Sequence, residues 1–228
     1  VKLRILVSTR PRLAALRYFF LLVALGCLGT YGYAYVERIL YQARESREFE
    51  RSLRRASTAA LSAPGFTRQA LQEDRASRKR SSSLKLPSPA ARIGRLTIPR
   101  LRLTAMVREG VDSNTLRVAV GHLPETPLPG QAGNVAVAGH RDTFFRGLKN
   151  VRARDEIEFS TPAGDFKYEV ESLSIVEPDN LKVIGPSSEN VLTLVTCYPF
   201  SYVGSAPQRF VVRAKQVSPQ YAPPSDVE

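Results

Sequence analysis

The stretch YFFLLVALGCLGTYGYAYV, Tyr18 to Val36, runs 19 residues without a charged side chain. A bilayer core offers no water to satisfy backbone groups, so a segment crossing it must be helical, and a span takes about 20 apolar residues. Lys2, Arg4, Arg10, Arg12 and Arg17 precede the run; Glu37 and Arg38 follow it. A basic flank stays in the cytoplasm. The expected layout is therefore a cytoplasmic N-terminus over 1–17, a single transmembrane helix over 18–36, and everything later outside the cell membrane. Tyr18, Tyr31, Tyr33 and Tyr35 gather toward the two ends, where aromatic rings favour the interface. The competing reading is a cleaved signal peptide, whose apolar core is shorter, about 7–15 residues. Cys27, inside the run, reads as a small apolar residue in lipid.

The chain carries a net charge of +12. Residues 1–92 hold 18 Lys/Arg and 6 Asp/Glu, whereas residues 93–228 hold 15 of each. The basic excess thus lies outside the part that reads as a folded domain, which argues against a nucleic-acid partner, since such a domain carries its basic patch on its own surface. Residues 37–92 read as an extracytoplasmic stalk and linker. ERILYQARESREFERSLRRASTAALSA is charged and Ala-rich, with a weak helical stripe of Ile39, Leu40, Phe49 and Leu53. QEDRASRKRSSSLKLPSPAAR is basic, Ser-rich and Pro-containing, as flexible linkers are.

From Ile93 short β-rich runs recur between Gly, Pro, Asp and Asn. Strands are expected at 93–98, 103–107, 134–139, 155–160, 166–176, 191–196 and 209–217, with a short helix at Asn114–Val118. FKYEVES alternates as a half-buried strand should, and TPAGD (161–165) reads as a hairpin turn. Such a pattern indicates a mainly β domain, a barrel or sandwich, over 93–217. The Pro-rich tail 218–228 is expected to be flexible.

No zinc-like ligand cluster, Walker loop, HEXXH or GXSXG stands in the sequence, so neither metal nor cofactor is expected. In the acidic group Asp155, Glu156 and Glu158, alternation puts the two glutamates on one face, as solvated charges. What remains is Cys197, in TLVTCYPF. Outside the membrane cysteines tend to pair, yet Cys197 has no partner on its side of the span. It is an intermolecular bridge, a packing residue or a reactive thiol. His140 ends the apolar run NVAVAG and opens the polar RDTFF, so it is placed to face a cleft. A Cys–His pair supplies a nucleophile and a proton carrier. His122, in Pro/Gly-rich VGHLPETPLPG, reads as a loop residue held by local hydrogen bonds. Arg209 opens the last strand, 12 positions after Cys197. Two strands joined by that loop run antiparallel, which brings Arg209 beside the thiol, where a guanidinium can hydrogen-bond an oxyanion.

TLVTC, VAVAGHRDTFF and PQRFVV, in that order, resemble the signature segments of sortases, membrane-anchored cysteine transpeptidases of bacterial surfaces. GHLPETPLPGQAGN looks like the loop that class C and class D types carry. The linker SSSLKLPSPAAR lacks the Asp-Pro-aromatic lid anchor of pilin polymerases, so the closest likeness is to class D. The resemblance implies an eight-stranded sortase-type β-barrel with short helices, behind the N-terminal transmembrane helix and stalk. It implies that Cys197 attacks a carbonyl of an LPXTG-like sorting-signal peptide to form a thioester that an amine acceptor resolves. His140 would carry the proton, Arg209 would hold the oxyanion, and Thr196 would help bind substrate. Two alternatives stay open: a thiol peptidase using water as acceptor, and a non-catalytic membrane-tethered binding module.

Overall fold

The computed structural model describes residues 11–61, 91–202 and 204–218. The expectations for residues 1–10, for the Ser-rich linker up to 90 and for the tail beyond 218 lie outside the described residues. The chain forms two compact units, 1–41 and 42–228. A helix, α1, spans Pro11–Leu61. In the first unit its apolar side chains, Phe20, Leu22, Leu25 and Leu28 among them, stand exposed. It is long and apolar enough to cross a membrane.

The second unit holds eight strands: β1 (Arg92–Ile98), β2 (Leu103–Glu109), β3 (Val120–His122), β4 (Asn134–Ala138), β5 (Glu156–Thr161), β6 (Gly164–Val176), β7 (Val191–Tyr198) and β8 (Gln208–Ser218). They close into a barrel in the order β1-β2-β3-β4-β7-β8-β6-β5. Alternation sets which side chains enter it. Phe166, Tyr168 and Val170 of β6 are buried while Lys167 and Glu169 are exposed. Leu96, Val107, Val137, Leu192, Leu194 and Val212 join them in one core. The hairpin at 161–165 forms as expected, with Thr161 paired to Gly164. The short helix α2 (Ser113–Val118) is capped by Asp112, whose carboxylate accepts from the Asn114 and Thr115 N–H groups.

Of the eight strands expected, seven were located from the pattern; β3 is the one whose position was not. Three residues are too few to show alternation. Its last residue is His122, which is therefore a strand residue rather than the loop residue expected.

β4 and β7 lie side by side in parallel, Ala138 opposite Val195. Their apolar runs, VAVA and VLTLV, are nearly continuous because both faces are covered. The inner face packs in the barrel. Over the outer face lies the β6–β7 connection, tied down by Asn134, whose Nδ2 donates to the carbonyls of Val183 and Gly185.

From Gln42 onward α1 packs on the barrel. Phe49 is wholly buried, with the Arg95 guanidinium 5.5 Å over its ring. The Gln42 amide accepts from Met106 N–H (2.9 Å) and donates to the Val118 carbonyl (2.6 Å). One side chain thus satisfies a donor on β2 and an acceptor at the end of α2, beside the place where β2 and β3 begin to pair. Arg92 pairs with Glu45 and Glu48, and Arg95 with Glu50.

Candidate active site

Cys197 is the seventh residue of β7. Leu192 and Leu194 of that strand enter the core, so alternation turns Val195 and Cys197 to the outer face. Cys197 is half-buried there. Its register partner on antiparallel β8 is Arg209, which shares the same face. Arg209 Nη1 donates to the carbonyls of Ala206 (3.2 Å) and Gln208 (3.0 Å). These bonds aim the guanidinium and leave its other nitrogens without partners among the described residues.

His140 reaches the same level from the other flank. Ala138, the last residue of β4, pairs with Val195; His140 lies two residues beyond it, as Cys197 lies two residues beyond Val195 on β7. The ladder is extended by Gly139 N–H donating to the Val195 carbonyl. His140 then opens a tight turn in which the Phe145 N–H returns to its carbonyl at 3.0 Å. Phe145 is wholly buried, and its ring lies so close to Gly139 that a Cβ there would come within 2.8 Å of Cδ2. The turn is thereby plugged into the barrel while the imidazole stays exposed.

Thr196, one residue before the thiol, points inward and is 3% exposed. Its hydroxyl donates to the Gly139 carbonyl at 2.7 Å. That bond ties β7 to the backbone leading into His140.

The second histidine is elsewhere and engaged. His122 is 1% exposed, with Nδ1 2.8 Å from Glu109 Oε2 and Nε2 3.0 Å from the Pro127 carbonyl. Both ring nitrogens have partners, so His122 can bond neither a thiol nor a substrate. Glu109 was not anticipated, because it lies on another strand, 13 positions upstream.

Beside Arg209 the outer face hollows into a cleft of about 140 Å³, with Ala138 and Val195 on its floor and Leu181, Val183 and Ile184 of the β6–β7 connection in its wall. Its lining is mostly apolar, with Glu177 and Arg209 as the charged groups. In the acidic group, Lys167 bridges Glu156 (2.8 Å) and Glu158 (3.3 Å), while Asp155 is buried and held by Arg100. No group of three or more His, Cys, Asp or Glu side chains suited to a metal occurs among the described residues.

Residues 96–217 match the family described as Sortase domain. This chain belongs to the sortase family. It is 36% identical over 141 residues to Sortase D of Bacillus subtilis (strain 168), covering 61% of this chain and 71% of that protein. Its fold is shared with a Clostridium perfringens Sortase D5 transpeptidase (TM-score 0.55, 22% identity, 75% of this chain and 94% of that one). It is shared also with C. perfringens sortase C solved with the C-terminal cell wall sorting motif (TM-score 0.54, 22% identity, 60% of this chain and 75% of that one). The sortase is class D-like, has the family's eight-stranded barrel, and is by membership a transpeptidase anchoring proteins to the cell wall.

Proposed function

We propose that Cys197, His140 and Arg209 carry the transpeptidation. One observation carries this reading: Cys197 and Arg209 are register partners on one outer face, and His140 follows the neighbouring parallel strand β4, two residues past the Ala138–Val195 pair. The Cys197 thiolate attacks the scissile carbonyl of a sorting-signal peptide, forming a C–S bond. The carbonyl oxygen becomes an oxyanion, which the Arg209 guanidinium hydrogen-bonds. The C–N bond then breaks as protonated His140 gives its proton to the leaving amine. The product is a thioester on Cys197. An incoming amine yields a proton to His140 as it attacks that carbonyl; the C–S bond breaks and the thiolate is restored. Thr196 acts by position, fixing β7 against Gly139. The cleft beside Arg209 takes an apolar side chain of the peptide, since its floor and wall offer mainly aliphatic contacts.

The full chain, given a labelled LPXTG-like peptide with and without an amine, should form the amide product. Cys197→Ala should form no thioester and no product. A Cys197→Ala chain that still acylates overturns the assignment. Hydrolysis as the only outcome across a range of amines would make water the acceptor.

The apolar helix and the basic residues before it support a cytoplasmic N-terminus with the barrel outside the membrane. In a Cys27→Ala background a membrane-impermeant thiol reagent should label Cys197 in intact cells. Labelling only after lysis overturns that orientation.

A further inference from the structure

The residue after the candidate histidine has a role that the triad does not include. Nine residues, 199–207, separate β7 from β8. Ser201, Tyr202, Gly204, Ser205 and Pro207 in this connection are exposed. Phe200, at its start, packs against the core and against the Tyr198 and Phe210 rings, while the exposed part that follows carries the chain on to Arg209. Arg141 holds it from outside. Its Nη2 donates to the carbonyls of Tyr202 (2.7 Å) and Gly204 (3.1 Å), and its guanidinium lies 5.8 Å over the Tyr202 ring. The same loop supplies the Ala206 carbonyl that accepts from Arg209. The attachments therefore run from the backbone of His140, through Arg141, to Gly204, then two residues on to Ala206 and the Arg209 guanidinium. No carboxylate pairs with Arg141 among the described residues, and its Nη1 is buried without a hydrogen-bond partner among them. Burying an unpaired donor costs stability, which an apolar peg at this position would avoid.

We infer that Arg141 is a positioning residue: it clamps the β7–β8 connection to the His140 turn, and so holds Arg209 in register with the proton carrier. The inference rests on the catalytic roles proposed above. A planar guanidinium suits the task because it can bond two carbonyls and stack on a ring at once, which an ammonium cannot.

The test uses the full chain in a Cys27→Ala background, so that Cys197 is the only thiol. Rates are expressed per titrated Cys197 in folded protein. Arg141→Ala should lower kcat for thioester formation on the order of 10²-fold, as small misplacements of reacting groups do. KM for the peptide should change far less, and added methylguanidinium should restore part of the rate. Arg141→Lys should remain well below wild type, and it serves alone if the alanine variant does not fold. A kcat per folded site within twofold of wild type, in whichever of these variants folds, overturns the inference. So does a loss fully explained by less folded protein. Cys197→Ala is run alongside: if it is inert while Arg141→Ala is fully active, the clamp alone fails; if it is active, the catalytic assignment fails first.

Discussion

Cys197 and Arg209 face each other across the β7–β8 ladder as direct register partners. Neighbouring strands lie about 4.8 Å apart, so the two side chains leave one face side by side, where a long guanidinium arm can meet an oxyanion formed at the thiol. Arg209→Ala should lower kcat for thioester formation by about 10²–10³-fold, the usual loss of an oxyanion donor, with a smaller change in KM. Arg209→Lys should recover little, because Nη1 alone makes both carbonyl bonds and an ammonium held there has no second nitrogen to offer an oxyanion. Single-turnover acylation kinetics check both.

Thr196 tests the positional role. Thr196→Val keeps the shape and removes the bond to the Gly139 carbonyl, leaving a buried acceptor unpaired at about 1–3 kcal/mol. Thr196→Ser should be close to wild type in both melting temperature and kcat. The valine variant should lose stability and lose rate per titrated thiol, as Gly139 and His140 move relative to β7.

The α1 segment from Gln42 should act as part of the barrel unit. Phe49→Ala empties a fully buried site and should cost about 3–5 kcal/mol. Gln42→Ala strands the Met106 N–H and the Val118 carbonyl, at about 1–3 kcal/mol. A fragment starting at Gln42 should melt well above one starting at Ala91. The half-exposed ion pairs of Arg92 and Arg95 contribute little beside these. Thermal denaturation of the four proteins measures the order.

Asp155 gives the acid limb of stability a specific source. The Arg100 guanidinium, bonded to both its oxygens, holds the carboxyl below its usual value, and the Arg152 N–H adds to this. A group with a depressed folded-state pKa contributes fully above its unfolded value of about 3.9 and loses that contribution as pH falls through the folded value. Asp155→Asn should therefore lower the melting temperature at pH 7 and flatten its fall below about pH 4. Parallel curves for the two proteins in acid would contradict this.

Much of the site was legible in the residues because its signals are local. A β-branched run before Cys197, another after Arg209 and a polar loop between them describe an antiparallel pair. His140 stood at the end of an apolar run. Other features depend on partners far along the chain. Arg141 meets carbonyls 61 and 63 positions away, and Gln42 meets Met106 64 positions away. No periodicity in GHRDTFF or YQARES reveals either contact. Phe49 sat in a weak stripe whose members Ile39 and Leu40 are exposed and whose Leu53 is only half-buried, so spacing did not single it out. Glu109 reads as the end of an ordinary strand until His122 is found against it.

The sequence by itself determined the apolar helix and the β-rich character of the domain, and singled out the candidate thiol, imidazole and guanidinium, because length, alternation and turn chemistry act over a few residues. Only the tertiary structure decided that the strands leading to His140 and to Cys197 are neighbours, since parallel β4 and β7 meet through residues 57 positions apart, Ala138 and Val195. It also decided that Thr196 faces the core and that part of a charged helix belongs with the barrel. Those outcomes depend on which surfaces meet when the sheet closes, and closure is a property of all eight strands together.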